Sequence, residues 1–174
     1  MREAILVVDM LNDFVLSGAP LEVPHNREIL PALADRVEQA RQQGTPVVYV
    51  CDAHAEDDSE FEKMGWPPHA VAGTRGAEIV SELAPQEGDR IVRKKTYSAF
   101  YQTELEEVLK EIGAEALIIT GCVSNICIMS AVADAALRGY RVTVPVDSVA
   151  SINKDDGEFA FRQMASVYGA VVER

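Results

Sequence analysis

The sequence predicts an α/β fold: three layers, α/β/α, around a mostly parallel sheet of about six strands in a Rossmann-like topology. Three observations predict it. Short β-branched runs are apolar throughout rather than alternating, as strands covered on both faces must be. Stretches with helical periodicity separate them, so each strand reaches the next through a right-handed crossover. Polar residues follow the strand runs directly, where open parallel sheets place their ligands.

In chain order, Ala4-Ile5-Leu6-Val7-Val8 is the first strand run. Ile29, Leu33, Val37 and Ala40 then mark one helical face, and Gly44 stands at a left-handed C-terminal cap position. Strand runs follow at Pro46–Val50 and, more weakly, at Arg90–Val92. Thr103 followed by Glu106 reads as a capping box, with Leu105, Val108, Leu109 and Ile112 as the stripe and Gly113 as the stop. After the strand Ala116–Thr120, a helix opens near Ser124 and runs to Arg138; Ala131, Ala133, Ala135 and Ala136 allow it to approach the sheet closely. A strand at Arg141–Val146, a helix carrying Phe161, Met164 and Tyr168, and a last strand at Ala170–Val172 complete the alternation. The least regular region is Asp52 to Thr74, a length of connection that within a compact domain points to function.

Composition agrees with one globular domain over residues 1–174: 48% of the residues are hydrophobic and 25% charged. A net charge of −12 disfavours nucleic acid and membrane surfaces as partners and leaves a small molecule. Cys51, Cys122 and Cys127 are odd in number and spaced unlike a disulfide framework, so the thiols are expected reduced. MREAILVVDM meets an acid at Asp9 and reads as neither signal peptide nor membrane span, so a cytoplasmic location is expected.

Asp9, Asp52, Lys94, Gly121-Cys122 and Asp147 each end a strand, and together they are candidates to line one pocket; Asp147 also reads as an ordinary turn acid. Cys127 sits in GCVSNIC, at a strand end, a turn and the first turn of a helix, where backbone N–H groups and the helix dipole favour a thiolate. Cys51 and Cys122 read as inert packing. A nucleophilic thiol needs a base and a cation, which Asp9 and Lys94 can supply from neighbouring strands; alternatively they pair only with one another at a buried strand end. Asp52, His54 and His69 are an N/O ligand set suited to zinc, iron or manganese, with Glu62 as a fourth candidate; the acids Asp57, Asp58 and Glu60 read equally as a solvated face. His25 reads as a surface residue.

VVDMLNDF at 7–14, DAH at 52–54, WPPHAVAGTRGAEI at 66–79, KKTYSAF at 94–100, GCVSNIC at 121–127 and DAALRGY at 134–140 resemble, in this order, the isochorismatase-like cysteine hydrolases. The resemblance spans nearly the whole chain and is strongest to nicotinamidases. It implies hydrolysis of an amide such as nicotinamide through a thioester, with Asp9 as base, Lys94, four before Ser98, as the lysine in place of Lys95, and Cys127 as nucleophile. It also implies a cis peptide at Cys122–Val123 and an oxyanion hole from the N–H groups of Val123 and Cys127. The implied metal ligands are Asp52, His54, His69 and Glu62, with zinc the expected ion and iron or manganese the alternatives, and the rings enclosing the substrate are Phe14, Trp66 and Tyr97. Self-association into a homo-oligomer is implied as well. Ser124 replaces a common Thr and Ala53 a frequent Trp, and neither change removes a functional group.

Rival readings are a metal-independent C–N hydrolase for carbamoyl, ureido or maleamate-type substrates and, outside enzymes, a phospho-acceptor receiver domain. The receiver predicts paired acids after the first strand and no thiol at a helix start. A dinucleotide-binding module lacks its glycine fingerprint, because Val8 is followed by Asp-Met-Leu-Asn-Asp.

Overall fold

The computed structural model describes residues 2–174. Six parallel strands, β1 (Glu3–Val8), β2 (Val47–Asp52), β3 (Arg90–Lys94), β4 (Ala116–Gly121), β5 (Arg141–Pro145) and β6 (Val171–Glu173), lie in the order β3-β2-β1-β4-β5-β6. Helices α1 (Asn12–Val15), α2 (His25–Gln42), α3 (Ser59–Met64), α4 (Leu105–Ile112), α5 (Met129–Leu137) and α6 (Lys154–Ser166) connect them. The sheet is parallel throughout.

Both sheet faces are covered, which is why the strand runs lack polar alternation. On one face Ile5, Val7, Val47 and Tyr49 meet Phe14 of α1 and Ile29, Leu33 and Val37 of α2. On the other, Leu6, Val8, Val48, Val50 and Ile119 meet Leu105 and Leu109 of α4, Ala131 and Ala135 of α5, and Met164 of α6. A fully buried Leu such as Leu33 or Leu109 contributes about 1.5–3 kcal/mol relative to exposure. Ala131 and Ala135 face the sheet, while Ala133 and Ala136 stay half-exposed on the flank of α5.

Register places the strand ends side by side. Asp52 pairs with Lys94 across β2 and β3, and Val8 lies opposite both Val50 and Gly121. Gly121 adopts φ +112°, and a Cβ there would collide with the Val8 carbonyl. Close approach of β4 to β1 therefore requires glycine.

Several expectations are corrected. The capping box does not form: Thr103 Oγ1 donates to the Ala99 carbonyl (2.7 Å) and accepts from Leu105 N–H (3.3 Å), Glu104 takes the N-cap place, and Glu106 turns outward to Lys110 (2.8 Å) and Arg138 (3.2 Å). β5 ends at Pro145, after which Val146–Ser148 forms a 3₁₀ turn. There Asp147 faces solvent and binds Arg36 of α2 at 3.1 Å, which removes it from the pocket set. His25 is half-buried at the start of α2, where its Nδ1 accepts the Ser151 N–H at 3.0 Å. The Asp52–Thr74 connection contains α3, capped by Asp58 and stopped by Gly65 in the left-handed region.

Candidate active site

The carboxyl ends of β1 to β4 converge on one buried ionic group. Lys94 Nζ lies 2.7 Å from Asp9 Oδ2, contacts Asp52 Oδ1 more closely still, donates to the Thr96 carbonyl at 3.0 Å, and approaches Cys127 Sγ at 3.5 Å. Lys94 is 1% exposed and Asp9 2%, so only mutual pairing makes these charges tolerable. The ion pair and the gathering around the thiol are therefore one arrangement rather than alternatives. Asp9 sits at φ +53°, an uncommon conformation for a residue with a side chain. Its N–H donates to the Val50 carbonyl (2.9 Å) and its Oδ1 accepts the Asp52 N–H (2.9 Å).

Burial, with Asp52 nearby, pushes the Asp9 carboxyl up to about 6 against the pull of Lys94. Burial also disfavours charge on Asp52, yet Lys94 and His54 hold its carboxyl below the ordinary value. Despite burial, the surrounding acids hold the Lys94 ammonium well above its ordinary value. The Cys127 thiol is pushed well above its ordinary value, by burial first and by Asp9 and Asp52 next, with Lys94 opposing. These neighbours act against the thiolate that the helix position favours. Burial and the neighbouring acids favour the neutral thiol at Cys127.

Cys127 lies within a π-helical turn, Ser124–Ile128, that precedes α5. Ile126 and Ile128 both donate to the Val123 carbonyl (3.1 and 3.2 Å), and the Cys127 N–H between them makes no bond to it. The Cys122–Val123 peptide is cis. Val123 and Cys127 both line the cavity above the thiol, which suits their N–H groups to a developing oxyanion.

This cavity measures about 230 Å³. Phe14, Trp66 and Tyr97 form its aromatic wall, with Trp66 and Tyr97 edge-to-face at 5.9 Å between centroids. Cys122 also lines it, with its sulfur accepting from Asn26 Nδ2 at 3.2 Å. Burial pushes the Cys51 and Cys122 thiols up to about 12, as suits packing residues. Lys95 is exposed.

Beside the ionic group, ligand atoms of Asp52, His54 and His69 lie within 4.8 Å of one another. A parallel bridge from His54 to Val71 folds the loop back so that the two imidazoles meet at 5.0 Å between centroids. His54 Nδ1 is bonded to Asp58 (3.1 Å) and His69 Nδ1 to the Pro67 carbonyl (2.9 Å), which turns each Nε2 inward, the outer-shell pattern of metal-binding histidines. Burial disfavours charge on His54, yet Asp52 and Asp58 raise its affinity for a proton, and by the same electrostatics for a cation. The donor set therefore fits a divalent ion. Glu62 does not belong to it: it lies on the exposed side of α3, and Asp58 and Glu60 of the same segment face His54 instead. A capped α3 turns every third or fourth residue outward, which loop spacing alone does not reveal.

Sequence reasoning did not single out Asp13, Asn26, Asp58 or Asp134 for the site. Asp13 Oδ2 accepts the Ala70 N–H (2.8 Å) next to His69, and a Cβ at Gly76 would displace that carboxylate. Ser98 donates to Asp134 (2.6 Å) and accepts from the N–H groups of Phe100 and Tyr101, fixing the loop that carries Tyr97. Asp13 and Asp134 lay within quoted motifs, but no spacing rule gave them partners.

The profile of the isochorismatase domain matches residues 3–174. Among solved structures the chain is similar to N-carbamoylsarcosine amidase from Thermoplasma acidophilum (35% identity, TM-score 0.89, 100% of this chain and 96% of that one). It is also similar to pyrazinamidase of Pyrococcus horikoshii in complex with zinc (31%, TM-score 0.92, 100% and 99%). Nicotinamidase 3 of Arabidopsis thaliana is 29% identical over 174 residues, 98% of this chain and 84% of that one. Among the described residues no helix is long and apolar enough to cross a membrane. With the profile spanning nearly the whole sequence and the parallel sheet shared with its relatives, the chain belongs to the isochorismatase family of hydrolases.

Proposed function

We propose that the protein hydrolyses nicotinamide to nicotinate and ammonia. One observation carries this reading: the Asp9–Lys94–Cys127 group lies at the base of a cavity walled by Phe14, Trp66 and Tyr97 and flanked by Asp52, His54 and His69. Such a cavity fits a flat heteroaromatic ring whose carboxamide reaches the thiol and whose ring nitrogen faces the histidines.

Cys127 Sγ forms the bond to the carboxamide carbon while its proton passes to Asp9. Lys94 holds Asp9 in place and compensates the charge carried by the sulfur. The oxyanion accepts from the N–H groups of Val123 and Cys127, donors typically worth about 10²–10³ in rate each. As the C–N bond breaks, Asp9 returns the proton to the leaving nitrogen, which departs as ammonia. Asp9 then takes one proton from water, whose oxygen bonds to the thioester carbon; that proton returns to the sulfur as the C–S bond breaks, and the acid released ionises to nicotinate by giving its remaining proton to solvent. A divalent ion held by Asp52, His54 and His69 would supply an electrophile that anchors the ring nitrogen. Nicotinamidase and zinc-bound pyrazinamidase relatives support this reading.

Ammonia release over a panel of nicotinamide, pyrazinamide, maleamate and N-carbamoylsarcosine, with and without a chelator, tests it. Turnover of the two ring amides that falls on metal removal is the expected result. Preferred turnover of maleamate or N-carbamoylsarcosine, unaffected by chelator, overturns it and favours the metal-independent C–N hydrolase.

A further inference from the structure

Of the three candidate metal ligands, Asp52 ends β2 and His54 follows it directly, so the sheet fixes both. His69 comes from the loop after α3, and the packing of Phe14, Phe61 and Trp66 against its imidazole is non-directional. The next residue, Ala70, supplies the directional contacts. Its N–H donates to Asp13 Oδ2 (2.8 Å), its carbonyl accepts the His54 N–H (3.0 Å), and the Ala72 N–H donates to the His54 carbonyl (2.9 Å). Ala70 thereby ties the backbone of His69 to that of His54, and it does so at φ +45°, a conformation that a Cβ disfavours. Because Ala70 is fully buried, its N–H would also be costly without an acceptor. The Asp13 carboxylate offsets both costs. It is accommodated by Gly76, in the 3₁₀ turn Arg75–Ala77, where a Cβ would displace it. Asn12 ties the same turn to α1, its Nδ2 donating to the Arg75 carbonyl (2.8 Å).

We propose that Asp13 is a positioning residue of the candidate metal centre, holding the Ala70 peptide in the left-handed turn that sets His69 against His54. The inference rests on the metal-binding part of the reading above and adds what preorganises the ligand set. Asp13 is neither a member of the ligand cluster nor part of the cavity lining, so it acts through the Ala70 peptide and not on the ion or the substrate. Without the carboxylate, Ala70 relaxes towards an ordinary φ and carries the His69 backbone with it. Binding an ion must then restore the turn, and affinity falls by that cost.

The test is the zinc affinity of the full chain, read by competition with a chromophoric chelator on protein shown folded by circular dichroism, so that no turnover is needed. Asp13→Ala should weaken zinc binding by about 10–100-fold. Gly76→Ala keeps Asp13 but displaces its carboxylate, so it should weaken binding in the same way. The two substitutions together should lose little more than Asp13→Ala alone, because the carboxylate is what the added Cβ meets. Glycine enters the left-handed region freely, so adding Ala70→Gly to either single variant should recover about three- to tenfold. A loss caused by general loosening or by the missing charge would not be recovered by a more flexible residue. The proposal is overturned if Asp13→Ala and Gly76→Ala both bind zinc as wild type does, if their losses add in the double variant, or if Ala70→Gly recovers nothing. A wild-type chain that binds no zinc defeats the metal-binding reading itself, whereas a wild type that binds zinc beside variants that bind it equally defeats only the role of Asp13.

Discussion

Replacing Lys94 by Met removes the charge at the centre of the site while keeping much of its volume. Two buried carboxylates, Asp9 and Asp52, then lose their shared cation, and the Thr96 carbonyl loses its donor. Removing one partner of a buried ion pair costs about 3–5 kcal/mol. Part of that cost depends on pH. The Asp9 carboxyl titrates at about 6 while Lys94 is present, and without the cation it rises further and holds its proton at neutrality. Protonating a group of pKa 6 at pH 7 costs about 1.4 kcal/mol and nothing appreciable well below pH 6. The folded variant binds more protons than the folded wild type, so the stability gap must widen as pH rises through this range. The contribution of Lys94 itself, whose folded value is raised, is complete below its unfolded value and does not vary between pH 5 and 8. Urea unfolding followed by circular dichroism at pH 5.5 and 7.5 measures both parts. A gap of several kcal/mol at pH 7.5 that narrows by about 1–2 kcal/mol at pH 5.5 is expected. A gap below about 1 kcal/mol, or one that is independent of pH, would refute the electrostatic reasoning.

Amide hydrolysis needs Asp9 ionised, so kcat/KM for nicotinamide should decline as pH falls through about 6, and Asp9→Asn should lower it by about 10²–10⁴ at any pH; initial rates between pH 5 and 8 check both. His69→Ala should lower metal affinity by about 10–100-fold or more, read as zinc per chain after dialysis against a fixed zinc buffer, whereas Glu62→Ala should retain it. Gly121→Ala should destabilise by more than about 3 kcal/mol or prevent soluble expression, because the added methyl meets the Val8 carbonyl in a left-handed backbone; a melting temperature equal to wild type contradicts the packing of β4 on β1. Ser98→Ala removes a cap from two N–H groups and a bond to Asp134, so a loss of about 1–2 kcal/mol is expected, with KM rising more than kcat falls because Tyr97 sits in that loop.

What the sequence made legible was periodic or covalently local. Continuous apolar runs located all six strands, and residues at their ends gave Asp9, Asp52 and Lys94 before any contact was known. Cys127 was legible as a helix-start thiol, but its protonation was not, because burial outweighs the helix position. Spacing brought His54 and His69 together but misjudged Glu62, since the orientation of a short helix depends on where Asp58 caps it. Asp147 and His25 show the same limit. Each found its partner, Arg36 or Ser151, more than a hundred residues away, and no local rule reports such a contact. The Leu21–Pro24 segment that lines the cavity also escaped the sequence, because a loop between two helices has no period to read.

The central claim is that the Cys127 sulfur is the nucleophile of an amide hydrolysis, and ammonia release from nicotinamide by wild type and by Cys127→Ala, both metal-loaded and shown folded by circular dichroism, tests it most directly. The account predicts turnover by wild type and loss of at least about 10³-fold in the variant; a Cys127→Ala protein that releases ammonia at the wild-type rate would contradict it.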